Sequence, residues 1–151
     1  MAYRFSQRSL ASLEGVHPDL VKVAHRAIQI TSQDFIVTEG VRTKEGMWET
    51  WGQGRTVATL ASKGVPAKYA QPNKPKVTWL ANPLGSNHRA MADGYGHAID
   101  VVPYPVDWND AKKFYAIAKA MKQAATELGV KISWGGDWTK NRDLPHFELA
   151  A

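Results

Sequence analysis

Cysteine is absent from this 151-residue chain, which excludes disulfides and thiolate metal sites and leaves His, Asp and Glu as the possible metal ligands. Long apolar runs are absent too: nothing approaches the roughly 18 residues that a membrane span requires. The opening stretch Met1-Ala2-Tyr3-Arg4-Phe5-Ser6 lacks the apolar core of a secretory signal, so the expectation is a protein made and kept in a cytoplasm. No window is Lys/Arg-rich, although 19 basic residues against 14 acidic ones give a net charge of +5 and a pI near 9.5. A scattered excess of that kind reads as solubility or loose attraction to acidic polymers, such as an anionic cell wall, and no nucleic-acid partner is expected. Internal repeats are also missing.

What remains is ordinary for a globular protein: 44% hydrophobic and 22% charged residues in a length that suits one domain, taken as 1–151. Pro18 followed by Leu20, Val23, Ala24, Ala27 and Ile28 predicts a helix from about Pro18 to Ile30. Phe35-Ile36-Val37-Thr38 predicts a strand, and Met47, Trp48 and Trp51 a short helix after it. Residues 52–83, punctuated by Gly and Pro, read as a long loop with a possible strand at 77–80. Such a loop is either a wall of a substrate groove, the preferred reading, or a disordered insertion.

His97-Ala98-Ile99-Asp100-Val101-Val102 predicts a central strand ended by Pro103. Asp107 or Asn109 is expected to cap a helix running to about Leu128, with Phe114, Ile117, Ala118, Met121, Ala125 and Leu128 as its buried stripe and Gly129 beyond its end. Residues 131–134 and 145–149 then predict two closing strands about Gly135-Gly136. Strands and helices mixed without a βαβ rhythm indicate an α+β fold: a small, largely antiparallel sheet flanked by helices, with the long loop ahead of the chemistry.

That chemistry lies in two distant stretches, Ser86-Asn87-His88 running on to Asp100, and Asp143-Leu144-Pro145-His146. A carboxylate between Ile99 and Val101 is costly to bury unless it is paired or bound to a cation. Taken alone, Asp100 is a buried salt bridge, a helix cap or a ligand, and His146 a core histidine or a ligand. Sharing one cation would relieve both. Two imidazoles and one carboxylate, with one position open, are a donor set that suits a catalytic zinc. Asp143 is either an exposed loop aspartate or a base close to that site.

The pattern Ser-x-His, Gly-x-Ala-x-Asp and distal Asp-x-x-His resembles the zinc peptidases of the D-alanyl-D-alanine carboxypeptidase superfamily, and within it the phage endolysins that act as L-alanyl-D-glutamate peptidases. Flanks such as Val16-His17-Pro18-Asp19-Leu20, Glu39-Gly40-Val41-Arg42-Thr43 and Trp134-Gly135-Gly136-Asp137-Trp138 extend the resemblance along nearly the whole chain. It implies one zinc ion per chain held by His88, Asp100 and His146, with Asp143 as general base and then proton donor. It also implies that Arg42 and Ser86 line the substrate site, Arg42 holding a carboxylate or stabilising the oxyanion.

The implied activity is cleavage of the L-alanyl-D-glutamate bond of the peptidoglycan stem peptide, by a monomer without stable membrane association. Such a protein is made in the cytoplasm of an infected bacterium and reaches the wall at lysis with the help of a membrane-permeabilising protein. The alternatives are a D,D-carboxypeptidase releasing terminal D-alanine and a non-catalytic wall-binding module. One departure from the family pattern is the longer interval between His88 and Gly96, which brings in Asp93 and His97 as rival ligands. Asp93 lacks the Ala-x-Asp-Val-Val-Pro frame of Asp100, and His97 is expected on the opposite strand face from Asp100, so His88 is preferred.

Overall fold

A computed structural model describes residues 2–150; the ends of the expected 1–151 unit, Met1 and Ala151, lie outside the described residues. The elements are helices α1 (Gln7–Leu13) and α2 (Pro18–Ile30), strand β1 (Phe35–Glu39), helices α3 (Lys44–Gly52) and α4 (Val57–Ser62), strand β2 (Ala98–Pro103), helix α5 (Ala111–Leu128), and strands β3 (Ile132–Trp134) and β4 (His146–Leu149). The four strands form one antiparallel sheet in the order β1-β2-β4-β3, and α2 and α5 pack against each other. This is the expected α+β architecture. No helix among the described residues is long and apolar enough to cross a membrane.

Strand alternation divides the sheet's two faces. Ile99, Val101 and Phe147 point into a core shared with Leu20, Val23 and Ala27 of α2 and Ile117 and Met121 of α5. Each fully buried Val, Leu, Ile, Met or Phe side chain among them stabilises the fold by roughly 1.5–3 kcal/mol. Asp100, His146 and Glu148 sit at the intervening positions and so face the other way. Asp100 is the direct cross-strand partner of His146, and Ala98 of Glu148. A register shift in β1 between Val37 and Glu39 then brings Glu39 opposite Asp100. The sheet register alone therefore gathers three carboxylates and an imidazole on one face.

Helix α2 begins and ends where Pro18 and the apolar spacing predict, with His17 Nδ1 accepting the Asp19 N–H at 3.1 Å as its cap. Helix α5 ends at Gly129, whose φ of +68° is the left-handed conformation glycine tolerates. Three expectations are corrected. The α5 cap is Asp110, whose carboxylate accepts the Lys112 N–H, and not Asp107 or Asn109. Leu128 is exposed, and Ala120 and Ala124 complete the buried stripe instead.

The third correction concerns residues 52–83, which are built and not merely looped. They hold α4 and a 3-10 turn at Ala67–Tyr69, while no strand forms at 77–80. Trp51, Leu60 and Val65 make a second small core there, against which Trp48 and Tyr69 pack. The disordered alternative is thereby set aside.

Candidate active site

Beside the sheet face that carries Asp100 lies a cleft of about 700 Å³, lined among others by Arg42, Ser86, His88, Asp100, Asp143 and His146. All six residues singled out from the sequence thus meet in one place. His88 is buried, and its ring is fixed by an Nδ1–H bond to the Gly40 carbonyl at 2.8 Å. A carbonyl can only accept, so the lone pair of His88 lies on Nε2, which faces Asp100 Oδ1 at 3.4 Å. Gly40 is needed at that point, since a Cβ there would lie 2.0 Å from the Ser12 carbonyl oxygen. Ser86 Oγ accepts the His88 N–H at 3.1 Å, so it braces the loop that presents His88 as well as lining the cleft.

His146 faces the same Asp100 oxygen through Nδ1 at 3.3 Å, and its Nε2–H donates to Glu148 Oε1 at 2.7 Å. The second Glu148 oxygen accepts from Asn87 Nδ2, which ties the His88 loop to the His146 strand. Outer carboxylate and carbonyl partners of this kind fix the tautomer and orientation of metal-ligating histidines. Glu148, Asn87 and Gly40 were not singled out from the sequence as positioning groups. Glu148 was within reach, because residues two apart on a strand share a face; the Gly40 carbonyl leaves no side-chain signature.

The ligand atoms of His88, Asp100 and His146 all lie within 4.8 Å of one another. His88 Nε2 and Asp100 Oδ1 are buried, yet neither finds a hydrogen-bond partner. Two orphaned polar atoms turned toward one point are costly unless something charged sits between them, and a divalent cation answers that cost. The donor set of two imidazole nitrogens and one carboxylate fits zinc.

Burial alone would raise the Asp100 carboxyl, but the facing imidazoles of His146 and His88 hold it well below the usual carboxylate range. Burial opposes charge on His146 as well, yet Asp100 and Glu148 push that imidazole up to about 9. A divalent ion held there near neutral pH would have to displace a proton from His146, so its affinity would fall as pH falls.

Asp143 is half-buried, and its carboxyl is raised, first by burial and then by the Asp100 charge. A carboxylate of raised pKa in a cleft suits proton transfer. Its loop is pinned on both flanks: Asp143 N–H donates to the Gly135 carbonyl at 3.0 Å, Arg142 Nε to the Gly136 carbonyl at 3.0 Å, and Trp134 Nε1 to the Leu144 carbonyl at 2.8 Å. Gly135 allows this approach, because a Cβ there would lie 2.1 Å from the Asp143 carbonyl oxygen.

Arg42 is gripped by Glu39, with Nε donating to Oε1 at 2.6 Å and Nη2 to Oε2 at 2.8 Å, and Nη2 lies 3.9 Å from Asp100 Oδ2. Burial works against its charge, but Glu39 keeps the guanidinium firmly protonated. Nη1 makes no protein hydrogen bond among the described residues, which leaves it for a ligand. His97 lies apart from the ligand group: its Nε2–H donates to Asp93 Oδ2 at 2.7 Å, and its ring meets that of His17 edge-on at 5.3 Å.

A family model for the phage L-alanyl-D-glutamate peptidase matches residues 1–148. The chain belongs to that family. It is 33% identical over 152 residues to the L-alanyl-D-glutamate peptidase of Escherichia phage T5, covering 99% of this chain and 90% of the relative. The crystal structure of the L-Ala D-Glu endopeptidase ChiX of Serratia marcescens is similar in fold, with a TM-score of 0.65, 30% identity, and coverage of 97% of this chain and 90% of that one. Family membership thus agrees with the resemblance carried by the two distant motifs.

Proposed function

We propose that this protein is a zinc-dependent endolysin that hydrolyses the L-alanyl-D-glutamate bond of the peptidoglycan stem peptide. The observation that carries this reading is the pair of orphaned buried atoms, His88 Nε2 and Asp100 Oδ1, meeting His146 Nδ1 in the cleft. His88, Asp100 and His146 would hold one zinc ion per chain. Zinc bound there supplies a Lewis acid and lowers the pKa of water to near neutrality.

The chain's own groups supply the rest. Asp143 takes the proton of the attacking water and passes it to the departing amine of D-glutamate, cleaving the amide without a covalent enzyme intermediate. The fixed charge of Arg42, offered through Nη1, stabilises the carbonyl oxygen as it becomes anionic. Glu148 and the Gly40 carbonyl keep both imidazoles turned so that the correct nitrogen faces the site. The substrate is a wall peptide, reached at lysis by a protein acting as a monomer.

The test is digestion of purified peptidoglycan before and after exhaustive chelation. Chelated protein is expected to lose turnover and to regain it on addition of one equivalent of zinc per chain. Undiminished activity after chelation would exclude the metal mechanism.

A further inference from the structure

The lining of the cleft is uneven in charge. One stretch of it, Val77, Thr78, Trp79 and Leu80, has no ionisable side chain; another carries Lys140 and Arg142 beside Asp143. Trp79 is 59% exposed, the highest value among the exposed large hydrophobic side chains. It makes no ring–ring or cation–π contact among the described residues. Loose chain does not explain that exposure.

The Thr78 carbonyl accepts from Arg55 Nη2 at 2.9 Å, and the Leu80 carbonyl from Trp51 Nε1 at 2.7 Å. Both donors are buried, and the Arg55 guanidinium lies 4.2 Å from the centre of the Trp51 ring. The second small core thus clamps the backbone on either side of Trp79 and holds its indole out on the cleft wall.

The scissile bond has a matching asymmetry. On its amine side stands D-glutamate, an anion, and Asp143 must reach that amine to protonate it. The basic stretch that bears Asp143 therefore takes the amine side. On the acyl side L-alanine is amide-linked to the lactyl group of muramic acid, so that side carries no charge, the sugar included. An uncharged stretch carrying a rigid, open indole suits it. A pyranose presents a face of C–H bonds with partial positive charge, which complements the negative face of an indole.

Resting on the peptidase reading of this cleft, we propose that Trp79 is a stacking platform for the saccharide that bears the stem peptide, and that it gives the enzyme a preference for glycan-linked stems over free peptides.

The experiment measures kcat and KM of zinc-loaded wild type, Trp79→Ala and Trp79→Tyr on a disaccharide-linked tetrapeptide and on the same peptide without sugar. Wild type is expected to show the lower KM on the sugar-linked substrate. Trp79→Ala raises that KM about tenfold with kcat unchanged, leaves the free peptide unaffected, and Trp79→Tyr restores most of the loss. Equal losses on both substrates, or no loss on either, would overturn the platform while leaving the peptidase reading intact. Failure of wild type to cleave either substrate would overturn both.

Discussion

Asp143→Asn is expected to lower kcat by about a thousandfold while zinc content and substrate affinity stay near wild type. The amide keeps the shape of the side chain and the backbone bonds that pin its loop, so the loss isolates proton transfer, which is typically worth 10²–10⁴ in rate. The sign of the pH dependence follows. Wild-type activity rises with pH as the Asp143 carboxyl, pushed up by burial and by the Asp100 charge, gives up its proton. The variant lacks that limb. Stopped-time assays across pH, with metal analysis of the same samples, separate the two effects. A variant that loses zinc in proportion to its activity would reassign Asp143 to metal binding.

His88→Ala has an equally large expected effect by a different route. Removing Nε2 leaves Asp100 and His146 to hold the ion alone, and zinc affinity is expected to fall by more than about 10²-fold. That exceeds the roughly 10–100-fold loss expected of Glu148→Gln, which removes an orienting partner and keeps every ligand. His97→Ala, in the separate cluster with Asp93 and His17, should leave affinity unchanged. A thermal-shift titration reads all three variants, because an ion that binds only the folded state at a thousand times its Kd stabilises by about 4 kcal/mol. If His97→Ala lost the zinc-induced shift and His88→Ala kept it, the ligand assignment would be reversed.

The difference between those two histidines shows what the sequence makes legible. Helix α2 announces itself because Pro18 and the 3.6-residue spacing agree, and α5 because an amphipathic stripe runs up to Gly129. Both are local signals. Helix α1 carries too few apolar positions to declare itself; of its seven residues only Ser9 and Leu13 are buried. The 52–83 segment misleads in another way. Its Gly and Pro content reads as loop, but Trp51, Leu60 and Val65 bury one another and Arg55 reaches across to Thr78, contacts that no periodicity encodes.

At the site, the residue types and their order were legible, since a carboxylate between Ile99 and Val101 and an imidazole between Pro145 and Phe147 each demanded a partner. Their pairing was not, because it depends on the β2–β4 register between strands distant in sequence. The long interval between His88 and Gly96 is the chain's departure from the family pattern. His88 is held from outside that interval, by the Gly40 carbonyl and Ser86 Oγ. The intervening residues instead carry Asp93 to His97 and His17, away from the cleft.

The most direct measurement is mass spectrometry of the fragments released from intact peptidoglycan by the zinc-loaded protein. The account predicts peptides with a new amino-terminal D-glutamate and glycan left bearing L-alanine alone. Release of free D-alanine, with the L-alanyl-D-glutamate bond intact, would contradict it.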